Sequence, residues 1–222
     1  MLFRSQDGSP AMLAFYITIF VVGLIENSLV LVVIFGKKES KTVNDIFIKN
    51  LTISDIAFIT VASPLSIYIY FVRQYGSIFV CKFGFPMMTA TYFVSIATVA
   101  SMAMQRSYAI LNPFKPKIKK HTLIIWLVGI WCLSFVLVIP QIVVTHVSPT
   151  QSCHEEWSSN TYPKLYTISL FAFQYVFPLT VISISYIRIG IHVSRSNCNS
   201  RWLGTNTQTS RRAKDEIGRA HV

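Results

Sequence analysis

Five polar side chains interrupt the apolar runs of this 222-residue chain: Glu26 and Asn27 in "GLIENSLV", Asp55 in "NLTISD", Ser95 in "TYFVSIA" and Arg106 in "MAMQRSY". An ionisable group inside a bilayer costs several kcal/mol, so each such residue marks a candidate site. At 1.5 Å of helix rise per residue, Asn27 lies about 14 Å, Asp55 about 15 Å and Ser95 about 16 Å from the same end of their runs. A carboxylate, an amide and a hydroxyl at one depth suit a hydrated small cation such as sodium. The alternative is mutual hydrogen bonding with water and no ion. Glu26 sits about 100° around its helix from Asn27, with no partner assignable. Arg106 follows Cys81 by a rise of about 37 Å, enough to cross the hydrocarbon. Taken alone it reads as an interfacial arginine that extends its charge to water.

The elements that hold these residues follow from composition. The chain is 52% hydrophobic and 13% charged, with mean hydropathy +0.50, whereas soluble domains carry about 25% charged residues. Five runs, near 11–35, 45–72, 80–110, 122–144 and 165–193, reach the roughly 20 residues a membrane helix needs. Barrel strands would instead alternate in segments of about ten. The first run is too long for a cleaved signal, lacks a basic start and has no small-residue cleavage site.

Lysine and arginine set the orientation. Lys37, Lys38 and Lys41 fill one loop, Lys115, Lys117, Lys119 and Lys120 another, and Arg195, Arg201, Arg211, Arg212, Lys214 and Arg219 the tail. These face the cytoplasm, which places the N-terminus outside. The net charge of +11 is mainly this topology signal, so it implies anionic lipids rather than nucleic acid. Cys81 and Cys153 fall on the outer, oxidising side, where a bridge persists, unless they are free or paired between molecules. Pro64, Pro86, Pro140 and Pro178 lie within helices, as kinks or as tolerated membrane prolines. Asn50-Leu51-Thr52 matches a glycosylation pattern but lies within a helix. Residues 194–215 are polar and rich in Ser, Thr and Asn. His121, His146, His154, His192 and His221 have no metal-ligand spacing, and no nucleophile set shares one depth, which argues against a membrane enzyme.

In order along the chain, Gly23, Asn27 and Val30, then Asn50, Leu51 and Asp55, then Cys81 to Ser95, Ile96 and "QRS", Trp131 and Pro140, Cys153, and Pro178 with Tyr186 form one arrangement. It resembles the rhodopsin-like (class A) G-protein-coupled receptors over roughly residues 11–195. The resemblance implies an all-α membrane protein, here the first five helices of a seven-transmembrane bundle in residues 1–193. It implies that 194–215 begin the third intracellular loop. It assigns Asn27, Asp55 and Ser95 to a sodium and water pocket, with sodium at Asp55 the sole metal or cofactor. Ile96 and Pro178 become a packing switch, Cys81 and Cys153 the disulfide, and Gln105, Arg106, Ser107 and Tyr186 the surface that meets a heterotrimeric G protein.

Two residues depart from the pattern. Gln105 replaces the usual acidic neighbour of Arg106 and Ser107 the aromatic, which leaves Arg106 less restrained. Met88 stands where amine receptors place an aspartate, so an amine ligand is disfavoured. The loop from Cys153 and the segment "NPFKPK" look like neuropeptide receptors, particularly those for RFamide-type peptides. Tyr68, Met88, Thr91, Tyr92, Gln141 and Gln174 then line a cavity for a peptide end, while Glu155 and Glu156 either attract a basic peptide or form a solvated acidic loop. "EIGRAHV" resembles a translated sequencing-adapter oligonucleotide, so 216–222 are expected to be a non-native tail on an incomplete chain that does not signal by itself. The competing reading is a multi-span transporter or channel using Glu26 and Asp55, although inverted repeats are not visible. The receptor reading places the chain in the plasma membrane, with an extracellular peptide, a G protein and lipids as partners.

Overall fold

The computed structural model describes residues 10–36, 42–72, 77–116, 118–148 and 152–196. Residues 197–222, and with them most of the expected intracellular segment and the whole expected tail, lie outside the described residues. Five helices long and apolar enough to span a membrane run α1 Pro10–Gly36, α2 Val43–Val72, α3 Val80–Leu111, α4 Lys120–Val144 and α5 Tyr162–Ser196. Their ends fall within three residues of those expected.

Local chemistry sets the ends. Thr42 and Asp45 cap α2 reciprocally: the Thr42 N–H donates to Asp45 Oδ2 at 2.6 Å, and the Asp45 N–H to Thr42 Oγ1 at 3.2 Å. At the far end of α3, the Asn112 side chain donates to Tyr108 O at 3.1 Å. Pro113, which follows, cannot continue the helix. Pro163 opens α5, where a missing N–H costs nothing.

Two prolines widen their helices. Pro86 and Pro178 supply no N–H to the carbonyls four residues back, Lys82 O and Gln174 O. Each is preceded by a π-helical turn, Val80–Gly84 and Ala172–Val176. The residue before each proline donates five residues back, Phe85 to Val80 O and Phe177 to Ala172 O. The wider turn makes room for the proline ring without breaking the helix.

Between α4 and α5, where the sequence predicts only a loop, the chain forms an antiparallel hairpin, β1 Thr145–Val147 with β2 Cys153–Glu155. Thr145 pairs with Glu155, His146 with His154 and Val147 with Cys153.

The central helix is α3. Half of its most apolar span is buried, against 6% for α1 and α5, and α2, α4 and the π turn of α5 all pack on it. Phe47, Val94, Leu123, Leu127 and Ile130 form the core where α2, α3 and α4 meet. Outward-facing Val33, Ile125 and Leu179 are exposed, which suits hydrocarbon rather than water. Interior hydroxyls of Thr52, Thr98, Ser101 and Ser134 donate to carbonyls four residues back in their own helices, which satisfies these four donors in an apolar surround. The chain is a multi-pass helical membrane protein.

Candidate functional site

At mid-helix, α2 and α3 bring together two of the three residues expected to share one depth. Ser95 Oγ donates to Asp55 Oδ1 at 2.7 Å and lies 2.8 Å from Ser54 Oγ. Ser54 Oγ also donates to Leu51 O at 2.8 Å, so with the Ser95 proton directed to the carboxylate its single proton is shared between that carbonyl and Ser95. Asp55 Oδ2 takes no hydrogen bond from a described residue, so it is the oxygen open to water or a cation. The Asn27 amide donates instead to Gly23 O in its own helix, at 2.9 Å. Glu26 is exposed on α1, clear of this cluster. Ser54 joins the site, and its place beside Asp55 is the signal for it in the sequence.

One turn further along α3, a second network links three helices. The Trp131 indole N–H donates to Asn50 Oδ1 at 2.9 Å, and Asn50 Nδ2 donates to Thr98 Oγ1 at 2.8 Å. Trp126 Nε1 donates to Ser101 Oγ at 3.0 Å, a second link between α4 and α3. Thr98 and Ser101 went unnoticed in the sequence, although they follow Ser95 at helical spacing on α3.

At one end of the bundle, Cys81 and Cys153 form a disulfide with Cα atoms 5.7 Å apart. It fastens the β-hairpin to the first turn of α3. Glu155 and Glu156 are exposed on that hairpin, and both already have partners. Trp157 Nε1 donates to Glu155 Oε2 at 2.8 Å, and Glu156 Oε1 lies 2.9 Å from His154 Nε2. The hydrogen bond from His154, with His146 nearby, holds the Glu156 carboxyl below its ordinary range.

Beneath the hairpin, Tyr92 stands between Phe58 and Tyr175, with ring centroids 6.1 Å from each. Tyr68 is exposed, and Met88 and Gln174 are half-buried. Gln141 Oε1 is buried without a partner, an acceptor open to a donor from outside the described residues. Thr91 differs from expectation: it is fully buried and donates to Met87 O and Met88 O, so its rotation on α3 turns it into the packing.

At the opposite end of α3, Arg106 is exposed, and its described polar contact is Asn44 Oδ1 at 3.4 Å, a long and weak bond. Ser107 is buried with an unpartnered hydroxyl, and Gln105 is half-buried. Tyr186 is exposed on α5. Phe114, at the tip of the loop after α3, is fully exposed. Ile96 is half-buried and Pro178 buried, on helices that pack together.

Residues 26–219 match the family described as 7 transmembrane receptor (rhodopsin family). The chain belongs to that family. It is 31% identical over 190 residues to the RYamide receptor of Drosophila melanogaster, covering 80% of this chain and 41% of the relative. It is 28% identical over 193 residues to neuropeptide FF receptor 2 of Mus musculus, covering 79% of this chain and 46% of the relative. The rat protein of the same name is 28% identical over 203 residues, covering 83% and 48%. The chain therefore spans less than half the length of these curated relatives. In this rhodopsin-family chain, the disulfide end, the Asp55 cluster and the Arg106 end are three stations along the same helix, α3. Membership leaves the transporter or channel reading without support.

Proposed function

We propose that the chain forms the first five helices of a plasma-membrane receptor for an extracellular neuropeptide, with its N-terminus outside, that passes ligand binding to a heterotrimeric G protein. The observation that carries this is the layout of α3. Its Cys81 end is covered by a disulfide-held hairpin, its middle holds the Asp55–Ser95 pair, and its far end exposes Arg106. A ligand that moves α3 at one end acts through one rigid element on the other.

The relatives' names support a peptide ligand. The aromatic cluster of Tyr92, Phe58 and Tyr175 gives it an apolar seat. Glu155 and Glu156 favour a basic peptide, although each carboxylate must share its existing donor. At the Arg106 end, an exposed arginine is of a residue type enriched at interface hot spots. Asp55 Oδ2 offers a site for sodium, with Asn27 reaching it only after its side chain leaves Gly23 O.

The test is peptide-dependent nucleotide exchange on G proteins in cells. They would express this chain alone, and any longer reading frame that contains it. Exchange that depends on both Arg106 and the Cys81–Cys153 disulfide supports the proposal; exchange indifferent to both refutes it.

A further inference from the structure

Between α3 and α4, at the Arg106 end, lies a cleft of about 370 Å³, within the roughly 300–1,000 Å³ of small-molecule sites. Phe47 and Leu123, both buried in the core, form its floor. Met104, Tyr108, Ile118 and Trp126 line the more exposed wall. The cleft is built rather than incidental, because its floor is core and Trp126 is fixed by its bond to Ser101. It opens sideways, where the apolar spans of α3 and α4 meet the loop that joins them.

The mouth is basic. Lys115 Nζ stands 6.0 Å from the centre of the Tyr108 ring, and Lys119 and Lys120 follow Ile118 directly. No Asp or Glu occurs between Arg106 and Cys153, and on the neighbouring α2 Asp45, two residues before Phe47, accepts from the Thr42 N–H. An apolar slot with Lys115 at its Tyr108 wall, and with Lys119 and Lys120 next in sequence to its lining residue Ile118, matches a molecule with an acyl chain and a negative headgroup. We propose that this cleft binds one anionic phospholipid, its acyl chain against Phe47 and Leu123 and its phosphate at Lys115, Lys119 and Lys120. The occupied cleft ties α3 to α4 beside Arg106. The inference goes beyond the receptor reading and holds whether or not a peptide ligand is found.

The full chain would be reconstituted in phosphatidylcholine nanodiscs doped with phosphatidylserine that carries a photoactivatable diazirine on one acyl chain. Adducts would be mapped by mass spectrometry. The proposal expects adducts on peptides containing Met104, Tyr108 or Trp126. Unlabelled phosphatidylserine competes them away, whereas phosphatidylcholine and inorganic phosphate do not. Replacing Lys115, Lys119 and Lys120 by Gln reduces the preference for the anionic probe by roughly fivefold per lysine. Met104→Trp, which fills the slot, removes the adducts. The lysine variants change exposed loop residues, so they remain readable if the Trp variant does not fold. Labelling of the cleft that is equal for a phosphatidylcholine probe and insensitive to the lysine changes means ordinary boundary lipid and overturns the proposal. Labelling confined to other faces overturns it as well.

Discussion

The Trp131 indole N–H bonds Asn50 Oδ1 at 2.9 Å, so α4 and α2 are joined across the flank of α3 by a side-chain contact between residues 81 positions apart. Asn50 passes the link on to Thr98. Removing one partner strands the others in an apolar interior, and the cost of that is the unmet group rather than the bond alone. Asn50→Ala is expected to lower stability by about 1–2 kcal/mol. Trp131→Phe adds little once Asn50 is gone. Thermal unfolding of the purified single and double variants checks this, and strict additivity would show that the two residues are not coupled.

A second dependence joins α1 to α2. A Cβ on Gly23 would sit 2.7 Å from Ile59 Cδ1, too close unless that methyl moves. That methyl is the free end of a half-buried side chain, so Gly23→Ala should cost no more than about 1 kcal/mol, the lower end of overpacking. Combining it with Ile59→Val, which deletes the offending methyl, should recover much of the loss. Melting temperatures of the three variants decide the point: an uncorrected double variant would place the strain elsewhere.

Sodium at Asp55 predicts a salt-specific effect. Replacing choline by sodium at constant ionic strength should raise the melting temperature by a few degrees, since a ligand that binds only the folded state stabilises it. The rise should vanish in Asp55→Asn and shrink in Ser95→Ala. An equal rise in Asp55→Asn would mean that the ion binds elsewhere.

Arg106 has no close acidic neighbour among the described residues, and its bond to Asn44 is long. Restoring a carboxylate beside it with Gln105→Glu should hold the arginine in a local ion pair. Ligand-free signalling by a receptor containing these helices should then fall severalfold. Unchanged basal activity would show that the missing pair does not set the resting state.

Membrane-spanning segments announce themselves because hydrocarbon forces every backbone group into a helix, so the five spans were legible from apolar length alone. The shared level of Asp55 and Ser95, which are hydrogen-bonded, was legible too, since rise per residue is fixed. Rotation about the helix axis was not. Asn27 bonds to Gly23 O of its own helix, and Thr91 turns into the packing instead of presenting its hydroxyl. The β-hairpin escaped notice because its strands are three residues each and are held by the disulfide rather than by an alternating pattern. The prolines were visible, but their consequence, a wide turn just before Pro86 and another before Pro178, needed the backbone.

The central claim is that α3 connects a peptide site at the hairpin to a G-protein site at Arg106. The most direct measurement is G-protein nucleotide exchange driven by amidated neuropeptides, RFamide-type first, in cells expressing a receptor that contains this chain. It would be made with the natural sequence, with Cys153→Ser and with Arg106→Ala. The account predicts that a peptide drives exchange, that Cys153→Ser abolishes peptide binding and exchange together, and that Arg106→Ala abolishes exchange while binding persists. Exchange that survives both substitutions would contradict it.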